Sequence, residues 1–214
     1  MSDFKTPEKI KMMKLVGSEK KEVKAETTSN ADAIRAFANI PKRFKNAKFE
    51  PKTELQEQIV NKLRANFTGK SLKDVNDVLL FGSLGVGKTH IVCGLLNALI
   101  EKEVYCRFAT EHELLELYFR KEYKKFDGFK EVKILVIDEI GKRKLQDWQM
   151  IQLEELLSYR YNEMLPTILI TNLEQDEFKT FVGERVVRRL RDNGVVQIAV
   201  TGNEVKGSDF GGTA

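Results

Sequence analysis

The 214-residue sequence predicts an α/β fold: a five-stranded, mainly parallel sheet with flanking helices. Three observations lead there. Five short runs of almost unbroken apolar residues recur along the chain, the composition of strands buried on both faces. Between them lie segments whose apolar residues return at helical spacing, and that alternation is the pattern of a parallel sheet with crossover helices. A glycine-rich turn sits between the first run and the helix that follows it.

Composition bounds the rest. Apolar residues make up 42% and charged residues 32% of the chain, which suits a charge-rich globular protein. No apolar run approaches the roughly 20 residues needed to cross a bilayer, so no membrane partner is expected. The opening MSDFKTPEKI has no apolar signal segment, so a cytoplasmic protein is expected. The two cysteines, Cys93 and Cys106, lie in apolar periodic segments, the usage of a reducing compartment. Charge is uneven. Residues 1–70 carry 16 Lys and Arg against 9 Asp and Glu, whereas residues 71–214 carry 20 against 23. A basic front third is either a solvated arm or a surface for a polyanion or an acidic protein.

The elements follow in order. Thr6-Pro7-Glu8 reads as a helix start, with Ile10, Met13, Leu15 and Val16 as a short apolar stripe ended by Gly17. A charged linker follows, then a short helix over Ala31–Asn39 that Ile40-Pro41 closes. Residues 1–39 are thus expected to form a helical or flexible arm. Leu55, Ile59, Val60, Leu63 and Phe67 mark one helix face over Glu54–Phe67. Strands are expected at Asp77–Phe81, Val104–Ala109, Lys133–Asp138, Thr167–Thr171 and Val195–Thr201. Helices are expected at Lys88–Glu101, Glu111–Tyr123, Trp148–Tyr161 and Phe181–Arg191. The main domain would span 40–202, and the polar, Gly-rich 203–214 reads as a frayed tail.

The strongest motif is Gly82-Ser83-Leu84-Gly85-Val86-Gly87-Lys88-Thr89, which fits G-x-x-x-x-G-K-[ST] between a buried strand and a helix. Glycines let the backbone turn its N–H groups around a phosphate, and the helix N-terminus adds partial positive charge. Lys88 is expected to reach the β- and γ-phosphates of ATP, and Thr89 to ligate Mg²⁺. The strand Ile134–Ile137 then runs into Asp138 and Glu139. Adjacent carboxylates at a buried strand end call for a cation. Asp138 is expected to hold Mg²⁺ and Glu139 to act as general base on the attacking water. Asn172 closes the strand Thr167–Thr171; it either turns the chain or orients that water. Arg185 and Arg189 share one face of an arginine-rich helix. That face is either solvated or stabilises transferring phosphate on a neighbouring subunit.

In this order the motifs resemble the AAA+ ATPases, P-loop NTPases with an additional strand. More closely, residues 40–192 resemble the bacterial replicative helicase loaders of the DnaC type, including phage-encoded relatives. The resemblance rests on Ile40-Pro41-Lys42-Arg43-Phe44 with Phe49, Gly87-Lys88-Thr89-His90, Ile137-Asp138-Glu139-Ile140-Gly141, Thr171-Asn172, and Gly183-Glu184-Arg185-Val186 with Arg189-Leu190. It implies an ATP- and Mg²⁺-dependent ATPase with no C-terminal helical lid, slow alone and active in a ring or spiral of copies. It implies that Arg185 is the arginine finger with Arg189 beside it, and that Phe44 and His90 lie at the nucleotide. It further implies a hexameric replicative helicase of the DnaB type and single-stranded DNA as partners. Phe119-Arg120 falls where the family's helical insert meets DNA, and Trp148, with Lys142, Arg143 and Lys144, where a DNA-facing loop does. Stacking aromatics beside lysines suit that task, although an aromatic on a helix more often packs in a core, and both readings stand. The basic stretch Lys5, Lys9, Lys11 and Lys14 with its apolar stripe would dock on an acidic helicase surface. Two other functions share these motifs: an IstB-like transposition helper on double-stranded DNA, and an adaptor that binds ATP without turning it over.

Overall fold

The computed structural model describes residues 30–201 and 204–206. Within them six strands form one sheet: β1 (Val78–Gly82), β2 (Cys106–Thr110), β3 (Ile134–Ile140), β4 (Thr167–Thr171), β5 (Val196–Thr201) and β6 (Glu204–Lys206). Their order across the sheet is β2-β3-β4-β1-β5-β6. The first five are parallel, as expected. β6 is antiparallel to β5, with Val200 opposite Val205, so the chain returns to the sheet where a frayed tail is expected. The sequence signal for it is the Gly-Asn spacer at 202–203, a hairpin-type dipeptide.

Side chains alternate across the strands and meet a helical layer on each face. On one face lie α1 (Asn30–Phe37), α2 (Glu54–Phe67) and α3 (Lys88–Ile100). There Val78, Leu80, Val136, Ile168 and Ile198 pack with Ile34, Val60, Leu63, Ile91 and Leu96. On the other lie α4 (Glu111–Phe119), α5 (Tyr123–Lys130), α6 (Asp147–Asn162), α7 (Gln175–Val182) and α8 (Glu184–Asp192). There Leu79, Phe81, Leu135, Ile137 and Leu169 pack with Leu114, Phe126, Leu156, Phe178 and Val186. Among the described residues no helix is long and apolar enough to cross a membrane.

Three expectations change. First, the boundary at residue 40 moves toward the N-terminus, because α1 belongs to this core. Ile34 and Ala38 are fully buried. The carbonyl of Ala38 accepts from the Phe108 amide at 2.8 Å, and Asn39 Nδ2 donates to the Phe108 carbonyl at 3.0 Å. Residues 38 and 39 thereby satisfy backbone groups that edge strand β2 would leave open. The helix start at Thr6-Pro7-Glu8, the stripe Ile10, Met13, Leu15 and Val16, and Lys5, Lys9, Lys11 and Lys14 lie outside the described residues.

Second, the helix expected over Glu111–Tyr123 stops at Phe119. The chain breaks at Lys121, whose φ is +58°, and restarts as α5. Third, the helix expected over Phe181–Arg191 is two helices joined at Gly183, whose φ of +79° and ψ of +158° belong to a region essentially reserved for glycine. Both joints turn the chain while keeping apolar faces on the sheet.

One buried cation fastens the N-terminal edge of the sheet. Arg160 on α6 is fully buried, and its guanidinium donates to Thr167 Oγ1 at 2.9 Å and to the carbonyls of Lys130, Val132 and Pro166 at 2.7–2.9 Å. Burial pushes it down to about 9, with Asp77 opposing the shift. Oriented carbonyl dipoles and hydrogen bonds stand in for the water this charge has lost.

Candidate nucleotide site

The loop between β1 and α3 is shaped by its glycines. Gly82, Gly85 and Gly87 all have φ between +82° and +110°, where other residues are strained. A Cβ on Gly82 would also lie 2.0 Å from the Val200 carbonyl oxygen. Lys88, the first residue of α3, is only 5% exposed. Its ammonium donates to the carbonyls of Gly82 and Ser83 at 2.6 and 2.8 Å and to Asn172 Oδ1 at 2.8 Å. Burial lowers its pKa, and the charge of Asp138 opposes that. Leu84 stands exposed at the loop tip. Behind the loop, His90 meets Phe44 edge-on at 6.0 Å, and the Arg43 guanidinium lies 4.7 Å from the Phe44 ring.

One contact of this loop has no counterpart in the sequence motifs. Gln56, on α2, donates from Nε2 to the Val86 carbonyl at 3.2 Å and accepts from the Lys52 amide at 2.9 Å. It bridges the N-terminus of α2 to the turn that presents Gly87. No local pattern marks a glutamine for that role.

The carboxylates lie one strand beyond β4. Asp138 is 7% exposed; its Oδ2 accepts from the Thr89 hydroxyl at 2.7 Å and its Oδ1 from the Glu139 amide at 2.7 Å. Burial pushes its carboxyl above the usual range, while those two hydrogen bonds and Lys88 pull the other way. A buried carboxylate touching a hydroxyl at the phosphate loop is the oxygen pair that suits Mg²⁺, which takes few protein ligands and shares its shell with substrate phosphates. Among the described residues no group of three or more His, Cys, Asp or Glu side chains could hold a metal independently. Glu139 has a φ of +59°, within a register shift in the β3–β4 pairing. Its carboxylate pairs with Lys142 Nζ at 2.7 Å. Because β4 lies between β3 and β1, Asn172 arrives between the carboxylates and the loop.

Arg185 and Arg189 lie together on α8, facing α6. Arg185 is 69% exposed and pairs with Glu154 at 2.9 Å; Arg189 is half-buried, hydrogen-bonded to the Ser158 hydroxyl and 3.7 Å from Glu154. Neither is joined to the phosphate loop or to the carboxylates of its own chain by any of these contacts.

With this site in view, residues 7–192 match the family model described as IstB-like ATP binding protein. The chain belongs to that family. YqaM of Bacillus subtilis is 31% identical over 129 residues, 55% of this chain and 41% of that protein. The replicative helicase loader DnaC of Escherichia coli K12 is 24% identical over 180 residues, 81% of this chain and 72% of that one. A crystal structure of the DnaC helicase loader superposes with a TM-score of 0.65 at 26% identity, covering 73% of this chain and 99% of that one. The AAA+ fold and the DnaC-type kinship expected from the motifs both hold.

In this IstB-like protein the structure also joins two sequence-distant DNA candidates. Phe119, 68% exposed at the end of α4, stacks on Trp148 near the start of α6, with ring centroids 6.1 Å apart and planes 29° apart. Trp148 stacks on Tyr118 as well, and Tyr118 meets Tyr123 and Phe126 edge-on. The cluster is rooted in the core through Phe126 and opens to solvent at Phe119 and Tyr123. Arg120 is exposed beside it, paired with Glu116 at 2.8 Å. Lys142 is paired likewise, with Glu139 at 2.7 Å. Cys93 and Cys106 are buried thiols pushed up to about 12 by burial, which keeps them protonated near neutral pH.

Proposed function

We propose that this protein is an ATP-dependent loader that binds a hexameric replicative helicase of the DnaB type and delivers it to single-stranded DNA. The observation that carries the reading is the Phe119–Trp148 stack, opened to solvent at Phe119, in the helical layer of α4 to α8. It makes a surface for unstacked bases beside an ATP site, and the relatives named as helicase loaders support it.

In this reading the loop amides and Lys88 bind the phosphates, and Thr89 and Asp138 hold Mg²⁺, which supplies charge neutralisation on the phosphate oxygens. Glu139 takes a proton from water as the water oxygen attacks the γ-phosphorus and the bond to the β–γ bridging oxygen breaks. Asn172 orients that water. Arg185 of one copy reaches the phosphate of the next, so hydrolysis belongs to a ring or spiral of copies. The Lys142–Glu139 pair is exposed, a class worth at most about 1 kcal/mol. A DNA phosphate competes for this ammonium on even terms.

Mixing the full chain with a DnaB-type helicase and ATP on a size-exclusion column tests the reading: a joint peak is expected. A chain beginning at Asn30 is expected to bind ATP and run alone, because residues 1–29 carry the helicase contact. A joint peak from the shortened chain at undiminished affinity would put the contact on the ATPase domain. No helicase complex together with a preference for double-stranded DNA would make the protein a transposition helper; ATP binding without turnover in any assembly would make it an adaptor.

Phe119→Ala and Trp148→Ala are each expected to weaken binding to a single-stranded oligonucleotide by about 1–3 kcal/mol, one base–aromatic stack. Fluorescence anisotropy measures the loss. Melting temperatures should stay within a few degrees for Phe119, which buries little.

A further inference from the structure

A buried acid lies beside the catalytic turn, and no motif accounts for it. Glu111, the first residue of α4, is 2% exposed. Its Oε2 accepts from the backbone amide of Gly141 at 2.9 Å. A carboxylate in a core is costly unless it answers a specific donor, and the donor here is the second residue after Glu139. On the opposite side of the same turn, the Thr171 hydroxyl donates to the Ile140 carbonyl at 2.7 Å and accepts from the Leu173 amide at 3.1 Å. The two side chains grip opposite ends of one peptide, its N–H from α4 and its C=O from the end of β4.

The turn needs gripping. Glu139 stands at φ +59°, a strained conformation that a non-glycine residue keeps only when its surroundings impose it. The β3–β4 register slips between Ile137 and Ile140, so Glu139 has no partner in the β4 register. Gly141 follows at φ +72°, and a Cβ there would lie 2.3 Å from Leu173 Cδ1. Left to the strand alone, the backbone would relax to extended geometry, and alternation would turn the Glu139 side chain to the other face.

We propose that Glu111 and Thr171 are positioning residues for the general base: together they hold the Glu139–Gly141 turn in the left-handed geometry that aims the Glu139 carboxylate at the attacking water. This rests on the reading of Glu139 as that base. What Glu111 supplies is an acceptor at a fixed place. Burial raises its carboxyl and Glu139 raises it further, while the Gly141 amide and Arg143 oppose them; an amide oxygen in the same place serves equally well.

The experiment compares conservative and disruptive variants of the full chain in single-turnover ATP hydrolysis, with ATP affinity and melting temperature measured alongside. Glu111→Ala is expected to lower the hydrolysis rate about tenfold to a hundredfold, the scale of a misplaced catalytic group, with ATP affinity within about twofold. Glu111→Gln should retain most of the rate, because its Oε1 still accepts from Gly141. Thr171→Val should fall as Glu111→Ala does, and Thr171→Ser should recover. Combining Glu111→Ala with Glu139→Gln should add little to the loss from Glu139→Gln alone, since the first acts through the second. If Glu111→Ala unfolds the chain, the Thr171 pair decides. Wild-type rates in folded Glu111→Ala or in Thr171→Val overturn the proposal. So does a Glu111→Gln variant as impaired as Glu111→Ala, which would mean that the charge matters and not the grip. Full turnover by Glu139→Gln itself would instead refute Glu139 as the base.

Discussion

Arg185→Ala is expected to leave ATP binding by the isolated chain intact and to reduce hydrolysis in the assembly about a thousandfold or more, the usual effect of losing an arginine finger. The geometry separates the two functions. Arg185 lies on α8 against Glu154 of α6, whereas Lys88, Thr89 and Asp138 gather at the loop end of β1 and β3. Its side chain is 69% exposed. An exposed pair of this kind holds its partners with at most about 1 kcal/mol, so a transferring phosphate on a neighbouring copy would recruit the arginine at small cost. Arg189 is half-buried and tied to Ser158, and suits holding α8 against α6. Mixing supplies the decisive arm. Lys88→Ala lacks the ammonium that reaches the β- and γ-phosphates but retains its arginine; Arg185→Ala has the converse defect. An equimolar mixture should hydrolyse ATP where each variant alone does not. No rescue at any ratio would mean that Arg185 does not act across a boundary between copies.

What sequence reasoning reached, and what it missed, follows from how local each cause is. The phosphate loop was legible because its glycines, lysine and threonine are adjacent and each answers a backbone need within a few residues. The five parallel strands were legible because burial on both faces leaves an unbroken apolar run. The grip on Glu139 was not, since Glu111 and Gly141 meet only when β2 and β3 pair and α4 folds back over them. Gln56 reaches the loop from α2 and was invisible for the same reason. The break at Lys121 carries no glycine or proline to announce it; the apolar packing of α5 against α4 and α6 imposes it on an ordinary residue. Gly183 did announce itself, but inside a phrase that reads as one helix. Family likeness points to Phe119 and Trp148 separately, and only the fold discloses that they stack on one another. The domain boundary was misplaced because proline at 41 is a strong local stop, while the burial of Ile34 and Ala38 against α3 and β2 is a tertiary fact.

Glu139→Gln is expected to bind ATP as the wild type does and to lose hydrolysis by about a hundredfold to ten-thousandfold, the contribution of a placed general base. The substitution isolates the proton-accepting step. Glutamine has the same length, tolerates the same backbone angles, and keeps an oxygen for Lys142 at the position the carboxylate now holds. Asp138 still accepts from the residue-139 amide and from the Thr89 hydroxyl, so the oxygen pair suited to Mg²⁺ is untouched. Because the Glu139 side chain is 43% exposed and pairs with an exposed lysine, the melting temperature should stay within a few degrees. Calorimetry with ATP and Mg²⁺ measures the binding, and rapid-quench single turnover measures the chemistry. Wild-type turnover would leave Glu139 as an acid that merely pairs with Lys142. Lost ATP binding would mean that its charge shapes the phosphate site and not the water. Loss of hydrolysis with binding intact would make the variant a trap for the proposed ATP-bound assembly, in which Arg185 of one copy would face the phosphate loop of the next.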